Sequence, residues 1–97
     1  MPNLETIGDE AFVGCKNLSS INFPKVNFIG DSAFTGCSAL TSVSFASLEN
    51  VPALAFGHPS TSYDSNLLNV YMPNVLSVNG SAFENCKKLS SVYAPLL

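Results

Sequence analysis

The sequence predicts a mainly β fold with short helical turns, a parallel β-solenoid of about four layers, and two observations predict it. Residues 7–15, IGDEAFVGC, return as IGDSAFTGC at residues 29–37, and weaker copies begin at Val51 and Val78. The Ala-Phe pair within this segment begins at residues 11, 33, 55 and 82, in steps of 22, 22 and 27. A fixed period of roughly 20–30 residues is typical of solenoid repeats, in which each unit is one layer of a stack.

Each unit contains one principal strand. Ile21 and Phe23 are two residues apart, so both side chains point inward while Asn22 points outward. Pro24 follows and cannot donate to a strand ladder, so it ends the strand. Matching columns place parallel strands near residues 20–23, 42–45, 69–72 and 91–93. A second short extended piece is expected at residues 4–7, 26–29, 48–51 and 75–78.

A tight corner and a single helical turn are predicted next in each unit. In the second unit, Gly30 stands where a left-handed backbone would cost little, and Asp31 occupies the N-cap position. Gly8 and Asp9 take the same places in the first unit. The C-cap column holds residues that tolerate a left-handed conformation: Gly14, Gly36, Gly57 and Asn85. The phenylalanine column is expected to form one buried row: Phe12, Phe34, Phe56 and Phe83.

The third unit departs from the pattern. Pro52, Ala53 and Leu54 replace Gly-Asp-Ser, and an insertion of 27 − 22 = 5 residues falls in the same unit. Its surroundings, residues 57–66, are rich in Ser and Pro, which predicts a protruding loop. We therefore divide the chain, as a single segment 1–97, into repeats at about 1–23, 24–45, 46–72 and 73–97.

The segments LSSINFP (residues 18–24), IGDSAFTGC (29–37) and LTSVSF (40–45) resemble the BspA-like leucine-rich repeat family. The resemblance implies a right-handed solenoid, usually in long arrays, in bacterial cell-surface proteins and some protists. Many members are secreted or surface-anchored, and some are adhesins that bind host matrix proteins. The resemblance therefore implies a cell-surface or secreted location, although no signal peptide is visible. Both ends fall at a similar phase of the repeat, so we expect a slice of a longer array with end-to-end stacking of neighbouring repeats.

Composition argues against several other functions. The net charge is −3 and the four basic residues form no stripe, so we expect no nucleic-acid partner. Apolar runs stay below the ~18 residues that span a bilayer, so we expect no membrane insertion. Ser32 follows Gly-Asp as in some esterases, but no base is visible for it. We expect no enzyme activity, no cofactor and no metal, and we interpret His58, the single histidine, as a solvated loop residue.

Cys15, Cys37 and Cys86 occupy one column of the repeat. We favour a row of buried free thiols that pack as small apolar groups. A Cys15–Cys37 disulfide is the alternative, because stacked strands lie about 4.8 Å apart and that distance permits a bridge. Zinc would need four converging ligands, and only His58 could join the cysteines.

The outward strand columns give the candidate binding residues. One column reads Asn22, Ser44, Tyr71 and Tyr93, and the neighbouring one reads Ser20, Ser42, Asn69 and Ser91. Adjacent tyrosines are typical of recognition surfaces, and cross-strand stacking that supports the ladder is the alternative. We take Tyr71, Tyr93 and Asn69 as candidate contacts for a protein or glycan ligand, with Tyr63 if its loop folds toward them. The hypothesis is a non-enzymatic binding or adhesion scaffold, and the alternative is a set of structural spacer repeats.

Overall fold

The computed structural model describes residues 3–97, and all regular structure in that range is β-strand. The strands run in the order β1 Thr6–Ile7, β2 Ser20–Asn22, β3 Phe28–Ile29, β4 Ser42–Ser44, β5 Asn50–Val51, β6 Asn69–Tyr71, β7 Ser77–Val78 and β8 Ser91–Tyr93. Each repeat thus contributes one three-residue strand and one two-residue strand. No helix among these residues is long and apolar enough to cross a membrane.

The four longer strands form one parallel ladder, which we call the main ladder, in the order β2-β4-β6-β8. Ile21 pairs with Val43, Val43 with Val70, and Val70 with Val92, so equivalent positions of successive repeats stand in one column. This confirms the predicted strands and their register. Phe23, which follows β2, still donates its N–H to the Ser44 carbonyl at 3.0 Å, so the pairing continues past the strand end.

The shorter strands form two separate pairs, β1-β3 and β5-β7. The Gly30 N–H donates to the Ile7 carbonyl at 2.9 Å, and the Asn79 N–H donates to the Val51 carbonyl at 2.9 Å. Pro52 holds the equivalent position in the third repeat and has no N–H to donate. The irregular third unit therefore interrupts the row of short strands, which we call the second ladder, between β3 and β5. The main ladder stays intact.

The core is a row of stacked phenylalanines enclosed by the aliphatic columns. Ring centroids lie 5.1 Å apart for Phe12 and Phe34, 5.2 Å for Phe34 and Phe56, and 5.4 Å for Phe56 and Phe83. Phe34 and Phe56 are fully buried, whereas Phe12 and Phe83 are half-buried. The predicted row is confirmed, and only its two inner members are fully enclosed because the outer layers have a neighbour on one side alone.

The predicted helical turns are wrong: these segments are runs of hydrogen-bonded turns, with no helix among residues 3–97. The N–H groups of Glu10 and Phe12 donate to Asp31 and Ala33 in the next repeat, at 3.0 and 2.8 Å. Only the intervening N–H groups, such as that of Ala11, bond three residues back. A helix needs consecutive backbone hydrogen bonds within its own segment. Here every second N–H group donates to a carbonyl of the neighbouring layer, so no helix forms.

The cap assignments need two corrections. The left-handed corner residues are Glu10, Ser32 and Leu54, with φ of 58°, 58° and 55°, rather than Gly8 and Gly30. The Asp9 carboxylate accepts the Asp31 N–H of the next repeat at 2.9 Å, so it bridges two layers instead of capping its own turn. In the C-cap column, positive φ is confirmed for Gly14, Gly36 and Asn85. Gly57 is the exception, because its φ is not positive.

The three cysteines are free, as the sequence indicated. Cys37 is buried and its thiol donates to the Phe12 carbonyl at 3.0 Å, and the Cys86 thiol donates to the Phe56 carbonyl at 3.4 Å. Burial raises the pKa of the Cys37 thiol from 9.0 to about 11, and burial also raises the pKa of Cys86.

We expect thiol counting in denaturant without reductant to find all three cysteines reactive. In the folded protein at mildly alkaline pH, Cys37 should react more slowly than Cys15, since its thiol is buried and its raised pKa keeps it protonated. The count is made with a chromogenic disulfide reagent and the sites are identified by peptide mass mapping. A count of one in denaturant, with a linked Cys15–Cys37 peptide in the mass map, would establish that bridge and contradict the prediction.

Candidate functional site

The outward face of the main ladder is an uncharged depression of about 410 Å³. The inward valines Val43 and Val70 are buried and fix the ladder against the core. Strand alternation then turns the residues on either side of each valine outward. The outward side chains are Ser20, Asn22, Ser42, Ser44, Asn69, Tyr71, Ser91 and Tyr93. The predicted contacts Tyr71, Tyr93 and Asn69 are thus brought together on one surface.

Tyr71 and Tyr93 are directly paired in register and stack on each other. Their ring centroids are 5.2 Å apart and their planes differ by 8°. Parallel rings at that separation form an offset stack, in which each ring covers part of one face of the other. Tyr71 is nevertheless 47% exposed and Tyr93 52% exposed. The pair is therefore a rigid aromatic block that stands out from the sheet.

The first two layers carry small residues where the last two carry tyrosine. Ser44 is the register partner of Tyr71, and Asn22 is the register partner of Ser44. Tyr93 covers part of one face of the Tyr71 ring, and the other face borders the space above Ser44, its register partner in the preceding layer. The surface thus forms a step, with an aromatic wall on one side and a polar floor beside it.

The structure places Tyr63 in a different environment. Its ring stacks on His58 with centroids 4.4 Å apart and planes within 9°. Burial raises the pKa of the Tyr63 hydroxyl, and negative charge on the ionised forms of Cys37 and Cys86 raises it further. Tyr63 therefore lies on the cysteine side of the repeat, and it does not line the depression that contains Tyr71 and Tyr93.

The inserted loop, residues 57–66, is fastened to both neighbouring repeats. The Asn66 amide donates to the Ser38 carbonyl at 2.8 Å on one side. On the other side, the Asn85 amide donates to the His58 carbonyl at 2.7 Å, and Lys87 donates to the Thr61 carbonyl. Lys88 adds an exposed ion pair with Asp64 at 3.4 Å. These bonds hold the loop against the neighbouring layers.

A second depression, of about 380 Å³, lies over the short strands. Phe28 lines it and is 55% exposed, and Pro52 stands where the ladder is interrupted. The sequence analysis does not predict this surface, since it gives residues 26–29 only as an extended piece. The available signal was strand alternation: Ile29 is buried, so Phe28 beside it must point outward.

Metal ligands and His58 are the other candidate chemical groups of the chain. Within residues 3–97, no group of three or more His, Cys, Asp or Glu side chains is placed to hold a metal ion. The Nδ1 atom of His58 accepts the Ser60 N–H at 3.0 Å, a bond within the loop itself. His58 is therefore only partly exposed and takes part in the local structure of the loop, beyond the solvated role expected from the sequence.

A family model described as BspA type leucine rich repeat region (6 copies) matches residues 1–96. The chain belongs to the BspA type leucine-rich repeat family. Its parallel ladders agree with a leucine-rich-repeat architecture, and the family suggests a repeat scaffold for protein interaction. Searches of curated proteins and of solved structures found no significant match to the chain.

Proposed function

We propose that this BspA type repeat segment is a right-handed solenoid scaffold, at a cell surface or secreted, that contacts a protein or glycan ligand through the main-ladder face. The role is non-enzymatic and needs no cofactor. The observation that carries the proposal is the stacked, half-exposed Tyr71–Tyr93 pair on an otherwise small and polar surface.

The rigidity of this face supports a binding role. Main-ladder pairing and the stacked phenylalanine row fix the backbone from which the outward side chains project. A preorganised surface loses little conformational freedom when a ligand binds, so more of the contact energy appears as affinity. Tyrosine adds apolar area and a hydroxyl with few rotatable bonds, which suits an anchor.

The spacer interpretation has one observation in its favour. The Tyr71 and Tyr93 rings stack across layers in the same way as the buried phenylalanines, so they add to the cohesion of the ladder. Under this alternative the aromatic pair stabilises the array, and the repeats hold another domain away from the cell.

The test is the double variant Tyr71→Ser/Tyr93→Ser, which gives these layers the side chain already present at Ser44. We expect binding to fall at least about tenfold, because two central anchors are removed. Binding is measured on immobilised extracellular-matrix proteins and on a glycan array. Phe28→Ser is the matched control, since it removes an equally exposed aromatic ring from the other ladder.

The outcome separates the two roles. If the double variant loses stability but keeps all binding, the pair supports the ladder and the contact proposal is wrong. If the unmodified protein binds none of the probes, the spacer alternative gains.

A further inference from the structure

We propose that the hollow beside Tyr71 binds a neutral oligosaccharide, with one pyranose ring packed on the face of Tyr71 that borders Ser44. This inference rests on the proposed function of the main-ladder face and narrows its ligand to one chemical class.

The geometry provides one free aromatic face. Tyr93 covers part of one side of the Tyr71 ring at a centroid distance of 5.2 Å, and the column on the other side continues with the small residues Ser44 and Asn22. Ser44 lies one layer away and Asn22 two layers away. Two layer spacings give about 10 Å along the ladder. With a volume of about 410 Å³, the hollow is large enough for a disaccharide.

The chemistry of the lining matches a sugar ring. A pyranose presents an apolar face of C–H bonds, which packs on an aromatic face, and a rim of hydroxyl groups. Ser42 and Ser44 supply hydroxyls, and Asn22 and Asn69 supply amides, along the floor of the depression. Hydroxyl and amide groups both donate and accept hydrogen bonds, as sugar hydroxyls require. An apolar wall with several polar groups around it is the usual plan of a small-molecule site.

The absence of charge in the lining selects a neutral ligand. Every residue that lines the depression is uncharged, so an acidic sugar or phosphate finds no cation there. A basic peptide likewise finds no carboxylate. A protein ligand is less suited, because anchor residues need enclosed, desolvated pockets and this depression is open to water. A sugar keeps much of its hydration when bound and tolerates such a surface.

The binding experiment is an NMR titration of the folded protein with N,N′,N″-triacetylchitotriose and with cellotriose, and trigalacturonate is the anionic comparison. We expect saturable shifts of the Tyr71 ring protons at millimolar concentrations of the neutral trisaccharides, and weaker or no shifts with trigalacturonate. A shallow, wet site accounts for affinity in that range.

Two variants test the assigned face of the ring. Tyr71→Ser removes the wall, and Ser44→Ile keeps the wall but covers its free face with a β-branched side chain that suits an outward strand position. Each should weaken binding of the neutral trisaccharides at least about tenfold. Phe28→Ser should leave it unchanged, because Phe28 lies on the other ladder.

Each outcome bears on a definite claim. The inference is overturned if the neutral sugars produce no saturable shifts, if the shifts persist in Ser44→Ile, or if trigalacturonate binds more tightly. The broader contact proposal survives such a result if matrix proteins freed of glycans still bind in a Tyr71- and Tyr93-dependent way. Both fall if the unmodified protein binds neither the sugars nor the proteins.

Discussion

Replacing Phe34 with alanine is expected to lower the free energy of unfolding by about 3–5 kcal/mol. Phe34 is 1% exposed and stacks between Phe12 and Phe56, with Phe45 edge-on at 6.0 Å. Its removal leaves a cavity that touches three layers at once. The layers cannot close over it, because the main ladder fixes their spacing.

The measurement is equilibrium urea unfolding followed by far-ultraviolet circular dichroism. Phe28→Ala is the matched control, since it removes the same side chain from a position that is 55% exposed. The control should change the free energy by no more than about 0.5 kcal/mol. A decrease in the free energy of unfolding below about 1 kcal/mol for Phe34→Ala would mean that the phenylalanine row does not stabilise the core.

The repeat columns were sufficient to predict the strands and the core. Because side chains alternate along a strand, the Ile21 and Phe23 columns indicate which face is buried in every layer. Stacking in register then follows from the constant period, and it places Tyr71 beside Tyr93 without further information. This part of the candidate site was accessible from the sequence for that reason.

The turn geometry was not accessible in the same way. A burial pattern reports which side chains face the core, but not where each backbone N–H donates. At Glu10 and Phe12 the donors go to the next repeat, so Gly-Asp-Glu-Ala-Phe looks like a capped helical turn and folds as a series of turns. Asp9 illustrates the same limit, because its carboxylate accepts a bond from Asp31 of the neighbouring layer.

The inserted loop was beyond prediction for a different reason. Residues 57–66 contain five residues more than the other repeats have between the same columns, so no register places the inserted part. The stacking of Tyr63 on His58 depends on contacts with the neighbouring layers, such as the bond from Asn85 to the His58 carbonyl. The sequence therefore indicates Tyr63 as a candidate ligand contact, but it does not indicate on which face of the repeat the side chain lies.

The second large effect is expected from Gly57→Ala. A Cβ at Gly57 would lie 2.5 Å from the backbone nitrogen of Glu84 and 2.7 Å from the carbonyl oxygen of Ser81. Backbone bonds on either side hold this contact: Phe56 donates to Ala82 at 2.9 Å, and His58 donates to Glu84 at 3.0 Å. Neither backbone segment can move without breaking these bonds. We therefore expect the free energy of unfolding to fall by about 1–3 kcal/mol, near the upper end of that range.

Gly8→Ala is the matched control, because a Cβ at Gly8 meets no atom within 4 Å. Neither Gly8 nor Gly57 has positive φ, so the comparison isolates the steric effect from backbone strain. The control should be neutral or stabilising by up to about 1 kcal/mol, since alanine restricts the unfolded chain. Urea unfolding of both variants gives the difference. Equal stability of the two would mean that the inserted loop does not hold Gly57 against the fourth repeat. The loop could then move independently of the main ladder.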